Sequence, residues 1–323
     1  LSSFAKYEIT GPHSKALLDR LCANRIPETN GKIILTQMLT HLGGIECEAT
    51  VARLSAEHYY VLSGAVAELH DFDWLVQHIE PGEKTHVANV TDDIGVLVLT
   101  GPNARDVLSQ LTQDGLTNQD GFTWMTARDI TVADIPVRAL RLSYAGELGW
   151  ELHHPMDHMP TLYHALMKAG TAFELRLFGT YALNSLRMEK AYKAWGTELT
   201  TEISLVEAGM MRFARKDGGY IGADVVERKF EEGVDTHLVY CEIDVLDADP
   251  MGNEPVYHGD QVIGITTSGA YGHCVKKSLA FAYVKTGHET AGSQFDIEIL
   301  GERRRATVLS EPAWDPDNER IRA

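Results

Sequence analysis

Leu97-Val98-Leu99-Thr100-Gly101-Pro102 leads into Ala104-Arg105-Asp106-Val107-Leu108-Ser109-Gln110-Leu111, and the same pattern occurs earlier in the chain. There, Tyr7-Glu8-Ile9-Thr10-Gly11-Pro12 leads into Ser14-Lys15-Ala16-Leu17-Leu18-Asp19-Arg20-Leu21. Each copy reads as a strand, a Thr-Gly-Pro turn and an amphipathic helix. Proline suits a first helical turn, where its missing N–H has no intrahelical partner to lose. Leu17, Leu18 and Leu21, like Val107, Leu108 and Leu111, recur at the spacing of a buried helical stripe.

Both copies continue alike. After the first, alternating apolar and polar residues predict strands over 32–37, 45–54 and 58–63, then a helix over 66–78. After the second, strands are predicted over 127–132, 137–144 and 150–153, then a helix over 160–170. The class is therefore α+β, with duplicated β-α-β-β-α lobes and a seam between them, a natural place for a ligand. The spacing of Tyr181, Ala182, Ser185, Leu186, Glu189 and Tyr192 predicts one long helix over 179–195. Charged residues over 227–235 read as a linker. Short alternating strands over 237–245, 261–267, 278–284, 294–299 and 304–309 predict a C-terminal antiparallel β-barrel or sandwich. The expected domains are 1–230, with lobes near 1–90 and 91–230, and 231–323.

Composition excludes several partners. The 323 residues include 29 basic and 46 acidic side chains, a net charge of −17, which repels nucleic acid and anionic membrane. No apolar run approaches a membrane span and no signal peptide is visible, so a cytoplasmic site is expected, or the mitochondrial matrix in a eukaryote. Cys22, Cys47, Cys241 and Cys274 are scattered without metal-ligand spacing, and read as small buried groups in a reducing compartment. His153, His154, His158 and His164 match no ordinary ligand set, so no metal is expected. Glycine-rich dinucleotide and triphosphate loops are absent from the sequence, as is a nucleophile elbow. The chain opens near a strand-like stretch without Met, as a piece cut from a larger polypeptide would.

Two strands carry candidate chemistry. In Ser143-Tyr144-Ala145-Gly146-Glu147-Leu148-Gly149-Trp150-Glu151-Leu152-His153, alternation puts Trp150 and Leu152 on one face, and Glu151 and His153 on the other. A carboxylate beside a glycine loop and an aromatic hydroxyl suits a flat heterocycle with N–H donors, but read by itself the stretch favours a hairpin with Glu151 in solvent. In Gly43-Gly44-Ile45-Glu46-Cys47-Glu48-Ala49-Thr50-Val51, the odd positions face a core and Glu46, Glu48 and Thr50 face away. Those carboxylates are solvent decoration unless that face lines the seam, in which case Glu48 is an acid/base candidate.

Three stretches, Leu1-Ser2-Ser3-Phe4-Ala5-Lys6, the glycine loop through Leu152, and Leu186-Arg187-Met188-Glu189-Lys190-Ala191-Tyr192-Lys193-Ala194-Trp195-Gly196, resemble the folate-binding half of dimethylglycine and sarcosine dehydrogenases. Thr267-Ser268-Gly269 and Lys277-Ser278-Leu279-Ala280 resemble the barrel that follows it, and the broader family is that of the glycine-cleavage aminomethyltransferase, or T-protein. The resemblance implies a tetrahydrofolate-dependent one-carbon acceptor, turning a formaldehyde or iminium equivalent from a methylated amine into 5,10-methylenetetrahydrofolate. FAD is implied only in an upstream oxidising domain outside this chain. The alternatives are a formaldehyde-scavenging folate module of a zinc-dependent amine-oxide demethylase, and a stand-alone folate-dependent S- or O-methyl transferase. Carried over by position, Glu48 corresponds to the proton-handling acid, and Glu151 to the carboxylate gripping the pterin N–H edge with Leu152 and His153 beside it. Tyr144 and Tyr192 correspond to aromatic residues around the folate, and Thr50 and Gly64 to lining positions. Leu35 stands where relatives often have a ligand-contacting tyrosine, and Leu183 replaces the T-protein arginine. Lys190, Lys193 and the Arg320 region are left as candidates for holding the glutamate tail.

Overall fold

The computed structural model describes residues 3–245 and 247–323; Leu1 and Ser2, the head of one quoted stretch, lie outside the described residues, as does Leu246. The first lobe comprises β1 (Phe4–Thr10), α1 (Ser14–Leu21), β2 (Ile33–Leu39), β3 (Ile45–Ser55), β4 (His58–Gly64), α2 (Glu68–Gln77) and β5 (His86–Asn89). The second comprises β6 (Ile94–Thr100), α3 (Ala104–Ser109), β7 (Thr126–Val132), β8 (Ile135–Arg141), β9 (Gly149–Pro155) and α4 (Met159–Gly170). The sheets run β2-β3-β4-β1-β5 and β7-β8-β9-β6, so the duplication extends to strand order, with β5 the one addition.

Each lobe buries its helices against one face of its sheet. Leu17, Leu18 and Leu21 of α1 pack with Tyr7, Ile9, Cys47, Ala49 and Val51 in the first. Val107 and Leu108 of α3, with Leu162 and Leu166 of α4, pack with Trp150 and Leu152 in the second. The opposite faces meet one another: Ile33, Ala52, Tyr60 and Leu62 of the first sheet cluster with Ala127 and Leu140 of the second. A backbone bridge between Lys32 and Thr126 ties the sheets at that line. The seam expected from the repeat is thus a packed interface, apolar along the part nearest the bridge.

Two sequence expectations fail here. Only α5 (Thr180–Glu189) forms from the signal over 179–195. Lys190 caps it, and Ala191 turns into the left-handed region at φ 54°, so Tyr192 and Lys193 leave the helix. Side-chain pairing at its end competes with continuation: Glu189 accepts the Cys274 N–H at 2.6 Å and Lys190 pairs with Asp315 at 3.1 Å. The linker over 227–235 is instead largely helical, within α6 (Ala223–Glu232), bounded by Gly222 and Gly233, both at positive φ. Val226 is its buried anchor and Lys229 pairs with Glu207, so charge marked a solvated helix face rather than a linker.

The tail forms β10 (Thr236–Ile243), β11 (Pro255–His258), β12 (Gln261–Gly272), β13 (Lys277–Lys285), β14 (Gln294–Ile299) and β15 (Glu302–Val308), followed by α7 (Glu319–Arg322). These strands close an antiparallel barrel in the order β10-β13-β12-β11-β14-β15. β11 was not legible in sequence because it is short and starts on proline, which cannot donate to a ladder. Cys22, Cys47 and Cys241 are buried as expected, whereas Cys274 is exposed. No helix among the described residues is long and apolar enough to cross a membrane.

Candidate functional site

Cross-strand register orders the inner face of the first sheet. Gln37 lies opposite Glu48, Leu35 opposite Thr50, and Ile33 opposite Ala52. Alternation sends this set away from the helices, whose side takes Cys47, Ala49 and Val51. Gln37 is fully buried and its amide donates to Glu48 Oε1 at 3.0 Å. The Gln37 oxygen is buried without a hydrogen-bond partner among the described residues, an acceptor awaiting a donor. Glu46, the other carboxylate of the strand, is taken by His70 at 2.8 Å. Burial pushes the Glu48 carboxyl up to about 7; Gln37 and Lys193 oppose the shift and Glu198 adds to it. Such a group exchanges its proton near neutral pH.

A tyrosine pair lies near Glu48. The rings of Tyr144 and Tyr192 stack at 5.9 Å with 16° between planes. The Tyr144 hydroxyl donates to the Lys193 carbonyl at 3.0 Å. Burial pushes the Tyr144 phenol up, with Glu48 and Glu198 adding to the shift and Arg187 opposing it, while burial takes Tyr192 up to about 12. Beneath them Glu198, fully buried, joins the loop to the barrel. It pairs with Arg187 at 3.1 Å and accepts from the Ala194 N–H at 2.9 Å and the hydroxyls of Thr267 and Ser268 at 2.7 and 2.5 Å. Sequence reasoning missed Gln37, Glu198 and Arg187 as site components. Gln37 was findable, since the alternation that placed Glu48 also fixes its neighbour on β2; Glu198 carries no local signal, because its partners come from the distant barrel.

On the second sheet Glu151 lies opposite Leu140 on β8 and Val98 on β6, and His153 lies opposite Arg138 and Val96. The solvated-hairpin alternative is excluded: Glu151 is 5% and His153 2% exposed. His153 Nε2 stands 3.2 Å from Glu151 Oε2, and Nδ1 stands 3.0 Å from the Tyr60 hydroxyl. Burial drives the His153 imidazole down, Glu151 opposing, which favours the neutral ring. A carboxylate can only accept, so Nε2 carries the proton to Glu151 and Nδ1 accepts from Tyr60. The second Glu151 oxygen has no partner among the described residues.

The remaining expected residues divide. Thr50 is on the inner face, half-buried beside Leu35. Gly64 ends β4, and a Cβ there would meet nothing, so space does not require glycine at this point. Leu152 does not reach the seam; its side chain is fully buried with Trp150 in the helix-side core, as alternation requires. A cleft of about 580 Å³ opens beside His153, but Asp93, Asp114, Asp129 and Glu8 line it against Arg138 alone among full cations, an unfavourable lining for an anionic ligand.

The chain matches the GCVT N-terminal domain over residues 1–218 and the glycine cleavage T-protein C-terminal barrel domain over residues 237–315. Mitochondrial dimethylglycine dehydrogenase of Rattus norvegicus is 40% identical over 315 residues, 97% of this chain and 36% of that protein. An aminomethyltransferase of Anoxybacillus flavithermus is 29% identical over 97% of this chain and 86% of its own length. The crystal structure of glycine cleavage system aminomethyltransferase T from Bartonella henselae shares the fold, with a TM-score of 0.87 at 20% identity, over 98% of this chain and 85% of that one. The chain spans just over a third of the dehydrogenases' length.

Proposed function

Because this chain belongs to the glycine cleavage T-protein family of aminomethyltransferase-like domains, we propose that it binds tetrahydrofolate at the seam and loads it with a one-carbon unit from a methylated amine. The amine is of the dimethylglycine or sarcosine kind and the product is 5,10-methylenetetrahydrofolate. An upstream oxidising domain carrying FAD supplies the unit. The folate half is residues 1–230, with lobes near 1–90 and 91–230, and the barrel half is 231–323.

One observation carries the reading: the inner face of the first lobe holds a half-buried carboxyl group with stacked tyrosines near it, and that of the second holds a buried one held by a neutral histidine. A reduced pterin is flat and rich in N–H donors, which fits the orphaned Gln37 oxygen and the acceptor-only Glu151 carboxylate. Charge-assisted bonds of this type each contribute roughly 1.5–3 kcal/mol, and an unpaired carboxylate discriminates against ligands lacking the donors. Neutral His153, held by Tyr60, orients Glu151. Glu48 moves protons as the reacting nitrogens gain and lose them, and confinement makes the capture of a small carbonyl effectively unimolecular. Tetrahydrofolate, when bound, supplies the nucleophilic amine.

The experiment is calorimetric titration with tetrahydrofolate, then single-turnover mixing with formaldehyde, following methylenetetrahydrofolate by mass. Stoichiometric binding and condensation faster than in buffer are expected. Absence of binding refutes the reading, and binding without acceleration reassigns the chain as a folate module that only retains formaldehyde.

A further inference from the structure

The three candidate cations for the folate tail differ in what already holds them. The Lys190 amine is buried against Asp315, and Arg320 pairs with Glu147 while lying over Trp314. The Lys193 amine takes part in no hydrogen bond or ion pair among the described residues; it lies 5.9 Å from the Phe281 ring centroid. Its backbone, by contrast, is fixed on both sides. The Lys193 carbonyl accepts from Tyr144, the next N–H donates to Glu198 at 2.9 Å, and the Arg187 guanidinium donates to the Tyr192 carbonyl at 3.1 Å. An amine unpaired among the described residues therefore springs from a backbone held by three hydrogen bonds, within electrostatic reach of Glu48. Burial and Arg212 push its pKa down, against Glu48 and Glu198, which favours the neutral, nucleophilic form.

We propose that Lys193 is a covalent relay for the one-carbon unit, capturing formaldehyde as an iminium and handing its methylene to the folate amine. This rests on the folate reading above. The nitrogen lone pair adds to the formaldehyde carbon, the carbonyl pair moves to oxygen, and a proton passes from nitrogen to oxygen. The Glu48 carboxyl protonates that hydroxyl, water departs with the C–O pair, and the lysine nitrogen closes the C=N bond. The folate nitrogen then bonds to the methylene carbon, its proton passes to the lysine nitrogen, and the lysine C–N bond breaks with its pair returning to the amine. Glu48 recovers its proton from the second folate nitrogen as the ring closes. No oxidant or reductant is consumed. The relay keeps formaldehyde from escaping as its hydrate before folate is positioned.

The full chain, without folate, is treated with less than one equivalent of isotope-labelled formaldehyde and cyanoborohydride, which traps an iminium as a methylamine, and its peptides are weighed. Lys193 is expected to take label about fivefold or more ahead of exposed Lys216 and Lys285. Lys193→Arg keeps a long basic side chain but cannot form the iminium; single-turnover methylene transfer is expected to fall about tenfold or more with tetrahydrofolate affinity held within about twofold. An unlabelled Lys193, or wild-type transfer by Lys193→Arg, overturns the relay. Weakened folate binding by Lys193→Met alongside full transfer by Lys193→Arg overturns it too, and assigns the amine to the anionic tail. Labelling is read on wild-type protein without folate, so failure of the folate reading shows separately, as absence of binding by the wild type.

Discussion

The two lobes share strand order and helix placement, yet their inner faces have diverged. In the first, Glu48 has, among the described residues, one neutral donor, Gln37, and no ion pair, and its carboxyl is pushed up to about 7. In the second, Glu151 is held by a neutral histidine that is itself held by Tyr60 of the first lobe. One face presents a group free to exchange a proton; the other presents an acceptor with a fixed direction. Duplication supplied two equivalent sheet faces, and the neighbours on adjacent strands separated their chemistry.

If that division of labour holds, substitutions on the two faces must separate rate from affinity. Glu48→Gln keeps shape and loses the proton: single-turnover formation of methylenetetrahydrofolate is expected to slow by about a hundredfold, with folate affinity unchanged. Equal rates in stopped-flow would show that Glu48 moves no proton and would dissolve the contrast. Glu151→Ala is expected to act the other way, weakening tetrahydrofolate about tenfold or more in calorimetry, the loss of one charge-assisted bond or better. Equal affinities for wild type and variant would remove Glu151 from the site.

Much of the strand geometry beneath this division was legible in the sequence. The Thr-Gly-Pro repeat announced duplicated lobes, and alternation in β3 and β9 gave the correct faces for Glu48, Glu151 and His153, because a period of two leaves no other choice once one face is apolar. Leu152 obeys the same rule: the resemblance put it in the site beside Glu151, while the pleat turns its side chain into the core. What alternation could not show was partnership across the fold. Tyr60 meets His153 over 93 positions of chain, and Glu198 meets Thr267 over 69. The overextended helix over 179–195 has a similar cause, since the contacts of Glu189 and Lys190 with Cys274 and Asp315 come from after the lobes end. Local spacing records periodicity, and these contacts are set by topology.

The smallest expected effect is the most direct comparison of the two faces, because it needs no ligand. Glu48 holds its proton more tightly folded than unfolded, so its contribution to stability is complete below the ordinary carboxyl value of 4.5 and is lost as pH rises through about 7. His153 is the reverse: burial lowers its pKa, so its contribution is present above the ordinary imidazole value of 6.5 and is lost as pH falls through its lowered folded value. Thermal melts of Glu48→Gln and His153→Gln across pH 5 to 8 should therefore diverge in opposite senses from wild type. Glu48→Gln should gain relative to wild type toward high pH and His153→Gln toward low pH, each by about 2 °C. Parallel melting curves for Glu48→Gln would mean that its carboxyl titrates as an ordinary exposed one, leaving the first lobe without a proton to exchange near neutrality.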